Sequence, residues 1–376
     1  MPSARAWVLT PLEWSLNPSI SSLTTIYWRP DADFLTVLHE QMCVISSFAW
    51  AARTKKTLNS QAKAFKEFAE LAEIEFLPLT GRQLCYYAVW LWTMRGLKSP
   101  KSIKMYLSAV RTLHRRIGLD CATPTAYGPL DQLISGLKRL MQHKVRKSLP
   151  ITPIILKNLL CSVPSTPNCA IQNKILTTFR ALTLLFFQSM LRCSNMIPEN
   201  RHDYDARYIL KWSNITKVEH GVEIAITISK NNQYGERVHV VPLAASPDRR
   251  FCPVYALTAL AKMYGPEYMH PSNPVFMIPT PAGSFIPLQK AEYLAWFRAR
   301  LTAMDLVAAD YGIHSYRHGG IQEALLQEQN RAMVQLASDH SSEAIMGYCA
   351  IPTDRRMYLS ARVNRSLALL GPEISN

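Results

Sequence analysis

The sequence predicts a mainly α-helical protein of two domains, with a small antiparallel β-sheet inside the second domain. Three observations favour this fold class. The chain has 376 residues, which is enough for two hydrophobic cores. Apolar residues recur with helical spacing over most of its length. In the middle of the second half the period changes to strict alternation, which is typical of short strands.

The charge balance is strongly basic. Lys and Arg number 42 against 27 Asp and Glu, which gives a net charge of +15 with neutral histidines. A protein this basic usually binds a polyanion, most often nucleic acid or an anionic membrane surface. A run of about 18 apolar residues without a charge does not occur, so we exclude a transmembrane span. A P-loop and a G-x-G-x-x-G turn are also absent, so nucleotide-driven chemistry has no support.

The sequence predicts neither a cofactor nor a metal ion. Its eight cysteines form no C-x-x-C pair, which indicates reduced structural thiols and gives no zinc framework. The first residues lack the basic start and apolar core of a signal peptide. We therefore expect an intracellular protein.

The first domain is predicted to be helical over residues 36–147, after an irregular arm at 1–35. Its clearest helix is Ser102–Ile117, where apolar residues recur at helical spacing on one side. Basic residues lie on the other side. Residues 101–147 hold ten Lys or Arg and two acids, a net charge of +8 within the +15 of the whole chain. A solvated helix face explains such a stripe as well, but its concentration favours contacts with DNA phosphates. The residues predicted to make them are Lys101, Lys104, Arg111, Arg115, Lys138, Arg139, Lys144, Arg146 and Lys147.

A linker is predicted at residues 148–152, and the second domain follows at 153–376. Thr152 and Pro153 are typical of a helix cap with proline in the first turn. A helix at Thr177–Leu191 is apolar nearly all round and is therefore expected to be buried. Strands are predicted around residues 222–228, around 238–242 and at Tyr208–Trp212. The remaining predicted helices are Val254–Tyr264, Ala291–Thr302, Gly320–Glu328 and an amphipathic C-terminal helix at 356–370.

The sharpest chemical signal is His314-Ser-Tyr-Arg317. On a helix, positions i and i+3 share a face, so His314 and Arg317 can address one ligand together. A guanidinium offers a bidentate fork to a phosphate, and an imidazole adds a donor or a proton shuttle. Alone, the H-x-x-R pattern is common and has an ordinary structural interpretation.

Four other residues, taken in order with this pair, strengthen the signal. Arg192 follows the buried helix, Lys230 lies at the tip of the strand–turn–strand hairpin, and His340 and Tyr348 come after the pair. Each has a structural alternative, as a helix terminus, a turn lysine, a cap or a core aromatic. Together, the six residues are able to neutralise a phosphodiester, protonate a leaving oxygen and attack phosphorus without a metal.

This ordered set resembles the active site of the tyrosine recombinases, the phage-integrase superfamily, over about residues 40–370. Phrases such as Tyr106-Leu-Ser-Ala-Val-Arg and Phe251-Cys-Pro-Val resemble most the recombinases of eukaryotic mobile elements of the DIRS and Crypton kinds.

The resemblance implies a role for each residue. Arg192 and Arg317 would clamp the scissile phosphate, and Lys230 would be the general acid for the leaving 5′ hydroxyl. His314 would accept or relay a proton, and His340 would bond a phosphate oxygen. Tyr348 would attack and leave a 3′-phosphotyrosyl link, without ATP or a metal ion.

The sequence departs from the family pattern at three places. Many bacterial members have a carboxylate three residues after the first arginine, where this chain has Asn195. A glycine is common before the second histidine, where this chain has Asp339. His340 and Tyr348 are eight residues apart, whereas many bacterial members have nine.

Tyr358 is the alternative nucleophile, and His318 is expected to support the site.

The resemblance further implies a two-domain clamp around duplex DNA, in which a helical core-binding domain faces the catalytic domain. Four protomers would exchange strands through a Holliday junction. The helix at 356–370 would dock on a neighbouring protomer or pack on its own chain. A eukaryotic host implies a nuclear location. Three other functions stay open: a catalytically silent domesticated DNA-binding protein, a type IB topoisomerase-like enzyme, and, from charge alone, an RNA-binding protein.

Overall fold

A computed structural model describes residues 38, 42, 45, 49–50, 52–75, 77–116, 127–142, 148–161, 170–327 and 331–339. The chain divides into two compact units, residues 1–145 and 146–376. The described helices of the first unit are α1 (Ala52–Leu71), α2 (Gly81–Thr93), α3 (Pro100–Arg116) and α4 (Gly128–Met141).

The first unit is built around aromatic side chains and the apolar side of α3. Phe65 and Phe68 of α1 pack against Tyr87 of α2, with ring centroids 5.2 and 5.0 Å apart. The predicted apolar stripe of α3 is buried, including Ile103 and Val110. This burial turns the basic side of α3 towards solvent.

One histidine of the first unit is fully buried and serves the fold. Nδ1 of His114 lies 2.9 Å from the carbonyl oxygen of Val110, and Nε2 lies 2.9 Å from the backbone nitrogen of Leu79. Because the Leu79 N–H can only donate, Nε2 accepts and Nδ1 carries the proton. Both ring nitrogens thus form hydrogen bonds to backbone groups, and His114 links α3 to the segment before α2.

The second unit combines helices with two small antiparallel sheets. Its described helices are α5 (Pro153–Cys161), α6 (Ala170–Gln188), α7 (Pro253–Tyr264), α8 (Lys290–Thr302), α9 (His314–Gln327) and α10 (Arg331–Ala337). Its strands are β1 (Ile215–Val218), β2 (Gly221–Ile226), β3 (His239–Ala244), β4 (Met277–Pro279) and β5 (Phe285–Pro287).

The buried helix of the second unit is α6. Its side chains from Leu176 to Phe187 are mostly inaccessible, and it packs against α7 and α9. The predicted cap of α5 is confirmed, because the N–H of Ile155 bonds to Oγ1 of Thr152 at 3.3 Å and Pro153 opens the helix.

The larger sheet has the order β1-β2-β3, with Ile224 of β2 opposite Val241 of β3. The predicted strand at Tyr208–Trp212 is wrong, and Ile215–Val218 takes its place. The N–H of Leu210 bonds to the carbonyl of Asn195 at 2.8 Å, and the N–H of Trp212 bonds to that of Asn273 at 3.2 Å. Because these backbone N–H groups already bond to carbonyls outside the sheet, residues 208–212 do not pair with β2.

Helix α9 begins at His314, six residues before the predicted start at Gly320. Gly319 and Gly320 lie inside the helix for a packing reason. A Cβ on Gly319 would overlap the carbonyl oxygen of Ile151, and one on Gly320 would overlap that of Phe187. The two glycines therefore let α9 approach the backbone before α5 and the backbone of α6 closely. This contact positions the first turn of α9.

Candidate active site

The first turn of α9 carries the predicted His314 and Arg317. Arg317 is 2 % exposed, and its guanidinium donates to two backbone carbonyls. Nη1 donates to the carbonyl of Met190, and Nη2 to that of Ser338 at 2.6 Å. The buried cation thus joins three segments: α9, the residues after α6 and the residues after α10.

Arg192 lies in an extended segment just after α6, with φ −74° and ψ 146°. The predicted helix end at Leu191 is wrong by three residues, since α6 ends at Gln188 and Met190 adopts a left-handed φ of 54°. Nη1 of Arg192 lies 3.2 Å from Oδ2 of Asp339, whose side chain is 3 % exposed. Arg192 and Arg317 therefore reach the adjacent residues Asp339 and Ser338.

Lys230 lies in a tight turn between β2 and β3. The turn is closed by Ser229 and Asn232, whose N–H groups bond to each other's carbonyl at 3.1 Å. Ser229 and Asn232 are buried, whereas Lys230 is exposed. Ser229 Oγ donates to Oδ2 of Asp339 at 3.0 Å. The turn that carries Lys230 is therefore bound to Asp339, the residue that Arg192 also contacts.

His314 is surrounded by positive charge. The His314 side chain is exposed on one side, yet desolvation of the imidazole by the surrounding protein, together with the charges of Arg317, His318 and Arg192, lowers the pKa of His314 to about 4. At neutral pH the ring is therefore uncharged and able to accept a proton. The contacts of Arg192, Arg317 and the Lys230 turn thus converge on residues 338–339, beside a neutral imidazole, and these groups fit a phosphodiester.

The basic residues predicted to contact DNA lie on two helices of the first unit. Lys101, Lys104 and Arg115 on α3 are exposed, and Arg111 is half-buried. Lys138 and Arg139 in the last turn of α4 are exposed as well. Their exposure is compatible with phosphate contacts and equally with a solvated face.

Comparison with known proteins finds similarity in three dimensions only. No family model matches the chain. No curated protein matches it either. The structure is similar to that of the XerH site-specific recombinase bound to palindromic difH substrate in a post-cleavage complex. That likeness has a TM-score of 0.58 and 16 % sequence identity, and it covers 86 % of this chain and 83 % of the other.

A second similar structure is the Tn1549 transposon integrase in complex with transposon right end DNA. Its TM-score is 0.53 and its sequence identity 15 %, and the match covers 86 % of this chain and 96 % of the other. The chain has the tyrosine-recombinase fold. The predicted fold class, mainly α with a small antiparallel sheet, is thereby confirmed.

Part of the predicted site lies outside the described residues. They are His340, the predicted nucleophile Tyr348, the alternative nucleophile Tyr358 with the predicted helix at 356–370, the basic residues Lys144, Arg146 and Lys147, and the predicted N-terminal arm at 1–35. Their assignments stay predictions.

The sequence assigned no role to three residues near the candidate site, which are Asp339, Arg237 and His239. Asp339 accepts bonds from Arg192 and from Arg237, whose Nη2 lies 2.6 Å from Oδ1. His239 is the first residue of β3. Burial lowers the pKa of His239, as do the charges of Arg237 and Arg317, and these effects outweigh that of Asp339, which raises the pKa. Nε2 of His239 is buried and has no hydrogen-bond partner among the residues that the structure describes. The strand signal at residues 238–242 marked His239 only as a strand residue.

No group of three or more His, Cys, Asp or Glu side chains suited to a metal ion occurs in the described ranges. Among the helices that the structure describes, none is both long and apolar enough to cross a membrane.

The lowered pKa of His314 predicts a loss of stability in acid. Between pH 6.5 and about 4, the unfolded chain binds a proton that the folded chain does not, so stability falls as the pH falls through this range. The His314→Asn variant should lose less stability than the wild type between pH 7 and 5, measured by urea unfolding. His202→Asn, at an exposed histidine of the same unit, should keep the wild-type loss. An equal loss in all three proteins would contradict the assignment.

Proposed function

We propose that the chain is a site-specific DNA recombinase that cleaves and rejoins DNA through a 3′-phosphotyrosyl intermediate. The observation that carries this proposal is the convergence of Arg192, Arg317 and the Lys230 turn on residues 338–339, beside the neutral His314. Two guanidiniums fit the non-bridging oxygens of a phosphodiester, because each has a planar fork of N–H donors.

The cleavage step follows from these groups. The hydroxyl oxygen of Tyr348 attacks phosphorus, and its proton passes to His314. The new bond joins phosphorus to the tyrosyl oxygen, and the bond from phosphorus to the 5′ oxygen breaks. Lys230 gives its proton to that oxygen, which leaves as a hydroxyl. Rejoining is the same step in reverse, with a 5′ hydroxyl as the nucleophile, so it needs no ATP.

The two arginines and His314 act on the charge that develops during attack. A free tyrosine has a pKa near 10, so at neutral pH it needs a base and an electrostatic clamp to become a nucleophile. The negative charge of the bound phosphate would raise the pKa of His314, which is lowered in the DNA-free protein, and His314 would then supply the base. Arg192 and Arg317 supply the clamp. His340 adds a bond to a phosphate oxygen in this proposal. The chemistry requires no metal ion.

The partner is double-stranded DNA, which the exposed basic residues of α3 and α4 would hold by its phosphates. The two domains would form a clamp, and four protomers would exchange strands through a Holliday junction, with the helix at 356–370 docking on a neighbour. The phrases shared with DIRS and Crypton elements favour a recombinase of a eukaryotic mobile element, which acts in the nucleus.

The test is a search for a covalent protein–DNA adduct. A pool of nicked duplexes with randomised sequence traps cleavage, because the short strand beyond the nick diffuses away. We expect an SDS-resistant adduct at a 3′ end that forms in EDTA and disappears in Tyr348→Phe. Tyr358→Phe is the matched control and should form the adduct at the wild-type level.

Each other outcome excludes part of the proposal. Loss of the adduct only in Tyr358→Phe would support the proposed chemistry but identify Tyr358, and not Tyr348, as the nucleophile. If the wild type and both variants bind DNA tightly and none of them forms an adduct, the chain is a catalytically silent DNA-binding protein. An adduct that leads to relaxation of supercoiled DNA, without exchange between two selected duplexes, identifies a topoisomerase-like enzyme.

A further inference from the structure

Asp339 forms the centre of the charged network that the sequence did not reveal. Its side chain is 3 % exposed and accepts three hydrogen bonds. Oδ2 accepts from Nη1 of Arg192 at 3.2 Å and from Oγ of Ser229 at 3.0 Å, and Oδ1 accepts from Nη2 of Arg237 at 2.6 Å. A buried carboxylate is costly unless it is paired, so these partners and Asp339 hold one another in place.

The backbone of residues 338–339 joins the same network. The carbonyl of Ser338 accepts from Nη2 of Arg317 at 2.6 Å, and the carbonyl of Asp339 accepts from Nδ2 of Asn231 at 2.7 Å. Two consecutive residues therefore contact both arginines of the site and the β2–β3 turn.

Asp339 forms hydrogen bonds to the residues on both sides of Lys230. Its neighbours on each side, Ser229 and Asn231, bond to the carboxylate and to the carbonyl of Asp339 respectively. The Lys230 side chain itself is exposed. The backbone at Lys230 is thus fixed from both sides, while its side chain stays exposed.

The backbone of Asp339 adopts a conformation that is uncommon for residues other than glycine. Its φ is 49°, in the left-handed region that favours glycine. A glycine would adopt this φ more easily but would lose three hydrogen bonds. At Asn195, which bonds to the carbonyl of Ile228 at 3.0 Å, the side chain is a neutral amide and supplies no charge to Arg192. Asp339 is the residue that supplies the carboxylate to Arg192 in the described part of the chain.

We propose that Asp339 is a positioning residue for DNA cleavage, which orients Arg192 towards the phosphate and holds Lys230 at the leaving 5′ oxygen. This inference rests on the proposed function. Asp339 does not touch the DNA in this scheme. It acts through the ion pair with Arg192 and through the two bonds that flank Lys230.

The test compares Asp339→Gly with Asp305→Gly. Both residues adopt a left-handed φ, 49° and 56°, but Asp305 is exposed and distant in sequence from the network. Single-turnover adduct formation is measured on ordinary nicked DNA and on DNA with sulfur in place of the bridging 5′ oxygen. A thiolate leaves without a proton, so the sulfur substrate does not need Lys230 as an acid.

We expect Asp339→Gly to cleave ordinary DNA about 10²-fold more slowly than the wild type, because a displacement of about 1 Å in a catalytic group has this effect. On the sulfur substrate the loss should be at least about tenfold smaller, since only the Arg192 part remains. Amide exchange at Ser229 and Asn232 should become faster in Asp339→Gly, and Asp305→Gly should match the wild type in all three measurements. Asp339→Asn, which keeps the side-chain size, carries the same comparison if the glycine variant does not fold.

Two outcomes overturn the inference: cleavage by Asp339→Gly at the wild-type rate, or equal losses on the two substrates. The absence of an adduct in the wild type on both substrates overturns the proposed function instead. In that case, unchanged amide exchange at Ser229 and Asn232 in Asp339→Gly would also exclude a role of Asp339 in holding the turn.

Discussion

Arg317→Lys should form the covalent DNA adduct about 10²–10³-fold more slowly than the wild type, the usual effect of losing one group that stabilises charge in the transition state. The guanidinium of Arg317 donates to the carbonyls of Met190 and Ser338 with two different nitrogens. A lysine ammonium is a compact point charge and cannot span both carbonyls and a phosphate. The measurement is single-turnover adduct formation on nicked DNA.

The same substitution should lower the free energy of unfolding of the second unit by about 1–3 kcal/mol, because at least one buried carbonyl loses its donor. Arg298→Lys, at an exposed arginine of α8, is the matched control and should change neither quantity. A full cleavage rate in Arg317→Lys would exclude a bidentate contact to phosphate. Equal stability of the two variants would show that the carbonyl bonds contribute nothing to the fold.

The sequence was informative where the signal is local. The i, i+3 spacing of His314 and Arg317 placed them on one face, and the structure has both in the first turn of α9. The apolar stripe of α3 and the cap at Thr152 depend on residues within a few positions of one another, and both are found as predicted.

Contacts between distant segments could not be predicted in this way. Asp339 bonds to Arg192 and Ser229, which are 147 and 110 positions away. Periodicity carries no information on such pairs, so Asp339 was marked only as a departure from the family pattern. Its position before His340 gave a weak signal, because a buried charged residue where glycine is common requires a compensating partner.

The glycines of α9 show a second reason. Glycine in a helix interior costs about 1 kcal/mol relative to alanine, so Gly319 and Gly320 disfavour a helix that continues through them, and the predicted helix begins only at Gly320. Their packing reverses this interpretation, because the carbonyls of Ile151 and Phe187 occupy the space of a side chain at each position. A close approach of backbones is a property of the folded chain, and the local sequence does not encode it visibly.

Gly319→Ala should destabilise the second unit by about 3 kcal/mol or more, at the upper end of the range for overpacking. The added Cβ would overlap the carbonyl oxygen of Ile151, and backbone cannot swing aside as a flexible side chain can. The segment before α5 would have to move, which weakens the 3.0 Å bond from the N–H of Ile151 to the carbonyl of Ser315. In thermal unfolding, the transition of this unit should fall by roughly 6–12 °C.

Two glycines serve as controls for this substitution. Among the described residues, a Cβ on Gly312 would meet only Oγ of Ser148, at 4.0 Å, so Gly312→Ala should stay within about 0.5 kcal/mol of the wild type. A Cβ on Gly136, inside α4, would meet no described atom within 4 Å beyond the backbone of its own helix, so Gly136→Ala should stabilise the first unit by about 0.5–1 kcal/mol. If Gly319→Ala unfolds at the same temperature as Gly312→Ala, then the position of α9 does not depend on close backbone contact.

If Gly319→Ala is destabilised as expected, its rate of adduct formation should also fall at temperatures where the variant is still folded, because the displaced turn of α9 carries both His314 and Arg317.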